Sequence, residues 1–156
     1  MDSGRAVLAP RVRRAQSTRA SIVVNVALGL SPRPAAQAAN FTMDTVGLGP
    51  HGLLRLLSSD WDDGFKPPVD QIPVAESVLT SALGAYVLPR WGALLRSLAP
   101  ARRPVQAQAA RAEAFGAGLR AALLEEAWNG RWLRRAWLGP DIKWVGTSPA
   151  EAAVNG

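Results

Sequence analysis

Three carboxylates and an indole crowd four consecutive positions, Asp60-Trp61-Asp62-Asp63, between Ser59 and Gly64. Carboxylates this close repel one another, so at least one keeps its proton to a higher pH than an isolated aspartate, the state a general acid must hold. The apolar face of Trp61 can stack on a sugar ring and shield the neighbouring acid from water. Aspartate and glycine are equally the ordinary material of turns and helix caps. A calcium loop is a third reading, and it fails. Counted from Asp60, the sixth position, where an EF-hand needs glycine, is Phe65, and the twelfth, where it needs glutamate, is Gln71.

A second cluster runs from Trp128 to Gly139 and holds three of the six tryptophans, interleaved with Arg131, Arg134 and Arg135. Such a segment covers a helix pair with its indoles and leaves its arginines in water, or lines a groove for carbohydrate or nucleic acid.

The rest of the composition removes many alternatives. The chain has 156 residues, no cysteine and one histidine, His51. Thiolate zinc sites, iron–sulfur clusters and cysteine nucleophiles are therefore excluded, a metal site is not expected, and a Ser-His-Asp triad has one candidate base. The formal net charge of +6 is uneven along the chain: residues 1–40 carry six arginines against Asp2 alone, while residues 41–156 carry twelve basic and eleven acidic groups. A nearly neutral body lacks the clustered cations that phosphate binding needs, so nucleic acid is not expected as a partner. Residues 1–40 read as a basic, disordered or targeting-like segment. They have an Arg-rich start, an apolar run from Ile22 to Leu30 and then Ala36-Gln37-Ala38, the order of a secretory signal, although Asn25 interrupts the run and Arg33 follows it. That run is far short of the ~20 residues that span a bilayer, so no membrane partner is expected and a cytoplasmic location is.

The elements that must position these clusters are mostly helical. Glycine and proline are frequent from Phe41 to Pro73, which predicts a structured loop with at most a short helical piece around Leu53–Leu57. From Val74 to Leu98 apolar residues recur at spacings of three and four, predicting an amphipathic helix over about 75–98, bent at Pro89. Pro100 and Pro104 bracket a short connection to a second helix, about Val105 to Trp128, which ends at the turn-forming pair Asn129-Gly130. The two helices should pack antiparallel. Only Arg131 to Leu138 looks strand-like. The predicted fold class is mainly α.

Three runs, in this order and spacing, resemble one family: Gly49 to Phe65 with its Asp-Trp-Asp-Asp-Gly core, Ala75 to Leu95 opening on Glu76-Ser77-Val78, and Trp128 to Pro140 with Arg135-Ala136. Over about residues 46–140 the chain is similar to glycoside hydrolase family 94, formerly glycosyltransferase family 36. That family includes cellobiose, cellodextrin and chitobiose phosphorylases and the phosphorylase-like part of cyclic β-1,2-glucan synthases. The resemblance implies that Asp63 is the general acid that protonates the glycosidic oxygen. It further implies that Trp61, Asp62, Glu76 and Arg135 contact substrate, and that no cofactor is needed beyond inorganic phosphate as co-substrate. Ser59, Asp62 and Phe65 stand where the family has glycine, asparagine and methionine, so the surroundings of Asp63 gain a negative charge.

The family fold is an (α/α)6 barrel, whose twelve helices and their connections need upward of ~200 residues. About 116 residues follow residue 40. The expectation is a fragment of that barrel over residues 41–156, two to three helices with the structured acid-bearing loop, and no activity in isolation. An oligosaccharide is the expected substrate, and the remainder of a larger barrel or a second copy of the chain the expected protein partner. Two other readings stay open. An inverting (α/α)6 glycosidase would need a second carboxylate ~6.5–9.5 Å from the first to activate water, for which Asp60 and Glu76 are the local candidates. A non-catalytic helical remnant would keep the motifs only for packing.

Overall fold

The computed structural model describes residues 32–57 and 67–147. It is mainly helical. Helix α1, Pro32–Asn40, continues into a π-helical turn, Phe41–Val46; α2 is Val78–Leu98; α3 is Arg103–Ala122, prolonged by a second π-helical turn, Leu123–Ala127. Local signals set the helix ends. Ser77 is extended and its hydroxyl accepts the Thr80 N–H at 3.1 Å, an N-cap that starts α2. Ala99 closes α2 by donating to the Leu95 carbonyl, and Pro104 sits in the first turn of α3, where its missing N–H costs nothing.

Helices α2 and α3 form an antiparallel hairpin held close by small residues. A β-carbon on Gly92 would lie 2.7 Å from the Ala109 carbonyl oxygen, and one on Gly116 would lie 2.6 Å from Pro89 Cδ. The helix therefore runs through Pro89 with the proline ring seated on Gly116. On the outer side Arg96 bridges to Glu113 at 2.6 Å, and Arg111 of α3 pairs with Asp44 after α1. The main core lies between the three helices, with Ala35, Met43, Leu54, Leu88, Trp91 and Leu119 among its buried members.

Beside the helices stands a small antiparallel sheet of two-residue strands: β1 Glu76–Ser77, β2 Ala136–Trp137 and β3 Trp144–Val145, in the order β1-β2-β3. The segment 54–56 adds to the free side of β1, the Leu56 N–H donating to the Ala75 carbonyl at 2.7 Å and the Ser77 N–H to the Leu54 carbonyl at 2.9 Å. Residues 47–49 turn back along it in the same way, the Gly49 N–H donating to Leu53 O at 2.8 Å.

These observations correct three expectations. Residues 53–57 are not helical: 54–56 are extended and Leu57 turns with φ +61°, because the N–H groups of Leu53, Leu54 and Leu56 find distant acceptors in Glu76, Ser81 and Ala75. Helix α2 begins at Val78 rather than near residue 75, since Ala75, Glu76 and Ser77 are engaged in the sheet. Helical structure reaches back to Pro32, and Ala35 and Ala39 of α1 are buried in the core, so the Ala36-Gln37-Ala38 stretch is part of the packed body. The turn at Asn129-Gly130 is found as expected. Gly130 has φ +94°, and the Asn129 side-chain oxygen accepts the N–H groups of Arg131 and Trp132.

Candidate active site

The sheet is where the three sequence runs meet. Its central strand, β1, carries Glu76; on one side lies the segment 54–56, which leads to the aspartate cluster, and on the other lies β2, entered from Arg135. The Arg135 carbonyl accepts the Val78 N–H at 3.2 Å, and the Arg135 N–H donates to Val145 O at 2.9 Å. Residues up to 61 positions apart in sequence, Glu76 and Trp137, are thus paired by main-chain hydrogen bonds, which hold their relative places whatever the side chains do.

Strand alternation sorts the side chains into two faces. Ala75, Ala136, Leu138, Val145 and Leu56 gather on one, as an apolar cluster under the sheet. Along the other, register aligns Arg55, Glu76, Trp137 and Trp144 across neighbouring strands. His51, from the turn between 47–49 and 53–56, inserts its ring there, with centroids 4.6 Å from Trp137 and 5.1 Å from Trp144. The two indoles meet at 5.5 Å, and the Arg134 guanidinium lies 5.2 Å over Trp144.

Glu76 is fully buried, 0% exposed, and both its oxygens are taken. Oε1 accepts the N–H groups of His51 at 3.0 Å and Leu53 at 3.1 Å, while Oε2 lies 2.6 Å from His51 Nδ1. Burial pushes its carboxyl above the usual glutamate range, and the hydrogen bonds from His51 and Leu53 offset only part of that rise. The carboxylate therefore organises a turn of the protein rather than facing solvent. Trp137 Nε1 is buried with no hydrogen-bond partner among the described residues.

Asp60, Trp61, Asp62 and Asp63 lie outside the described residues, between Leu57 and Pro67. Of the sequence-predicted site residues, Glu76 and Arg135 are therefore the two whose places are described, and they stand on adjacent strands. Sequence reasoning missed His51 as the partner of Glu76, and Trp137 and Trp144 as the indoles against His51. The lone histidine, two positions after Gly49 in the first of the three runs, was the available signal. Among the described residues no three of His, Asp and Glu gather as metal ligands.

Comparison with protein families matches residues 35–154 to the Glycosyl hydrolase 94 superfamily, catalytic domain. The chain belongs to this family. Its glycosyl hydrolase 94 region takes in all three helices and the whole sheet, and it starts inside α1, beyond the Arg-rich residues. No curated protein matches the chain. Membership of the glycosyl hydrolase 94 superfamily links the chain to carbohydrate-active enzymes at the level of the family.

Proposed function

We propose that the chain carries the acid side of an inverting glycoside-cleaving site that acts on β-linked glucosides. Asp63 donates its proton to the glycosidic oxygen as the bond from that oxygen to the anomeric carbon breaks. The attacking oxygen, from inorganic phosphate, bonds to the same carbon from the opposite face, so configuration inverts in a single displacement. Trp61 stacks on the sugar, and Asp62 and Arg135 orient its hydroxyls. The observation that carries this reading is the family match over residues 35–154, which includes the aspartate cluster.

Phosphate is put ahead of water on the resemblance to the phosphorylases of that family. Hydrolysis with inversion requires a free carboxylate base near the acid; of the two local candidates Glu76 is buried with both oxygens bound, which leaves Asp60. Phosphate arrives as an anionic nucleophile and needs no such base. The remaining helices of an (α/α)6 barrel are the proposed protein partner. Leu79, Tyr86, Leu94 and Leu98 of α2 are exposed apolar side chains that such a partner would cover.

The test is incubation of the full chain with cellobiose, chitobiose and β-1,2-gluco-oligosaccharides, with and without phosphate. Sugar 1-phosphate formed only when phosphate is present supports the reading. Free sugar released without phosphate assigns the chain to the glycosidases. A chain that neither binds nor converts any of these sugars is the non-catalytic remnant.

A further inference from the structure

We propose that His51 is a positioning residue: its ring locks Glu76, and through Glu76 the extended segment 54–56, so that the chain is held at a fixed point ahead of the aspartate cluster in sequence. The catalytic meaning of that fixed point rests on the proposed role of Asp63; the lock itself does not.

The geometry is that of a clasp. One carboxylate ties β1 to a turn more than twenty residues away through three contacts, two to main-chain N–H groups and one to the imidazole. The ring packs against two indoles that also touch each other, Trp137 edge-on at an interplanar angle of 67° and Trp144 at 51°. Nδ1 is thereby aimed at Oε2, and the ring keeps only 22% of its surface exposed. No neighbouring cation takes over this contact. Arg55, the next residue across the sheet, turns its guanidinium back to the Val46 and Thr45 carbonyls at 2.6 and 3.2 Å, and Arg134 is engaged with the Glu126 carbonyl at 2.7 Å. Glu125 and Glu126 after α3, Arg131 and Arg135 before β2, and Asp141 and Lys143 before β3 are the other charged residues on these segments.

A gap of 2.6 Å between a nitrogen and an oxygen holds one proton. Either the imidazole donates to the carboxylate or the carboxyl donates to the imidazole, and both arrangements close the clasp. That contact shelters the N–H groups of His51 and Leu53 from exchange.

Hydrogen–deuterium exchange on the full chain tests this. His51→Phe keeps an aromatic ring against the indoles and removes Nδ1, so exchange over residues 49–57 should rise about tenfold or more at neutral pH, while α2 and α3 stay as protected as before. Glu76→Gln retains an acceptor for both N–H groups, so it should stay within about threefold of wild type. Wild-type-like exchange of His51→Phe between pH 5 and 8 would mean that the ring only packs, and the proposal falls.

Should His51→Phe not fold, the wild-type chain answers alone. His51 is the single histidine, so the imidazole nitrogen spectrum has one Nδ1 to follow. Its proton should exchange with water about tenfold or more slowly than in free imidazole, and a rate equal to free imidazole overturns the clasp. Neither measurement uses a sugar. Failure here leaves the acid role of Asp63 standing, and absence of sugar chemistry leaves the clasp standing.

Discussion

The backbone of Gly49 lies so close to the Glu76 side chain that a β-carbon at position 49 would stand 2.5 Å from Glu76 Cγ and 2.6 Å from Oε1. Glu76 has no freedom to move aside, because three contacts hold its carboxylate. Gly49→Ala is expected to destabilise the fold by about 1–3 kcal/mol, the usual cost of forcing a methyl into a filled site. Urea unfolding followed by tryptophan fluorescence checks it.

A second buried link joins the same turn region to α2. The Ser81 hydroxyl accepts the Leu54 N–H at 2.8 Å and donates to the Ser77 carbonyl at 2.5 Å, and Ser81 and Leu54 are both fully buried. Ser81→Ala leaves the Leu54 N–H buried without an acceptor, which costs about 1–3 kcal/mol. The lower stability should appear in thermal unfolding with the helical circular-dichroism spectrum unchanged.

Glu76 also sets a pH dependence with a definite sign. Burial raises its folded pKa above that of the unfolded chain, where a glutamate titrates near about 4.3. Between those two values the folded state holds a proton that the unfolded state has released. The contribution of this group to stability is thus complete below the unfolded value and is lost as pH rises through the folded one. Glu76→Gln removes the titration, so the mutant's stability should fall less than the wild type's as pH rises through that window. Denaturation midpoints measured at a series of pH values test the difference.

Two glycines of α3 should respond in opposite directions. At Gly116 a β-carbon would lie 2.6 Å from Pro89 Cδ, whereas at Gly118 nothing lies within 4 Å. Gly116→Ala should destabilise the hairpin by about 1–3 kcal/mol. Gly118→Ala should stabilise it by about 0.5–1 kcal/mol, through helix propensity alone. Parallel urea titrations of the two variants give the comparison.

The helix hairpin was legible in the sequence because its signals are local. Apolar spacing, Pro100, Pro104 and Asn129-Gly130 mark α2, α3 and their ends within a residue or a few. The sheet was not legible. Each strand is two residues long, too short to show alternation, and each pairing joins distant segments. Leu53, Leu54, Leu56 and Leu57 look helical by composition, and only the acceptors offered by Glu76, Ser81 and Ala75 draw residues 54–56 into extended pairing. For the same reason Glu76 and Arg135 could be singled out, but not the neighbours that define their surroundings. The pairing of His51 with Glu76 spans 25 residues and has no periodic trace.

The central claim is that Asp63 supplies the proton in glycoside cleavage, and its most direct test compares wild type with Asp63→Asn. Both chains are given β-linked disaccharides and phosphate, with sugar binding followed separately by tryptophan fluorescence. General acids contribute about 10²–10⁴-fold to such reactions. With the remainder of the barrel supplied as partner, the account predicts sugar 1-phosphate from the wild type, a loss of that order or greater in Asp63→Asn, and sugar binding retained in both. Turnover by Asp63→Asn at the wild-type rate would contradict it.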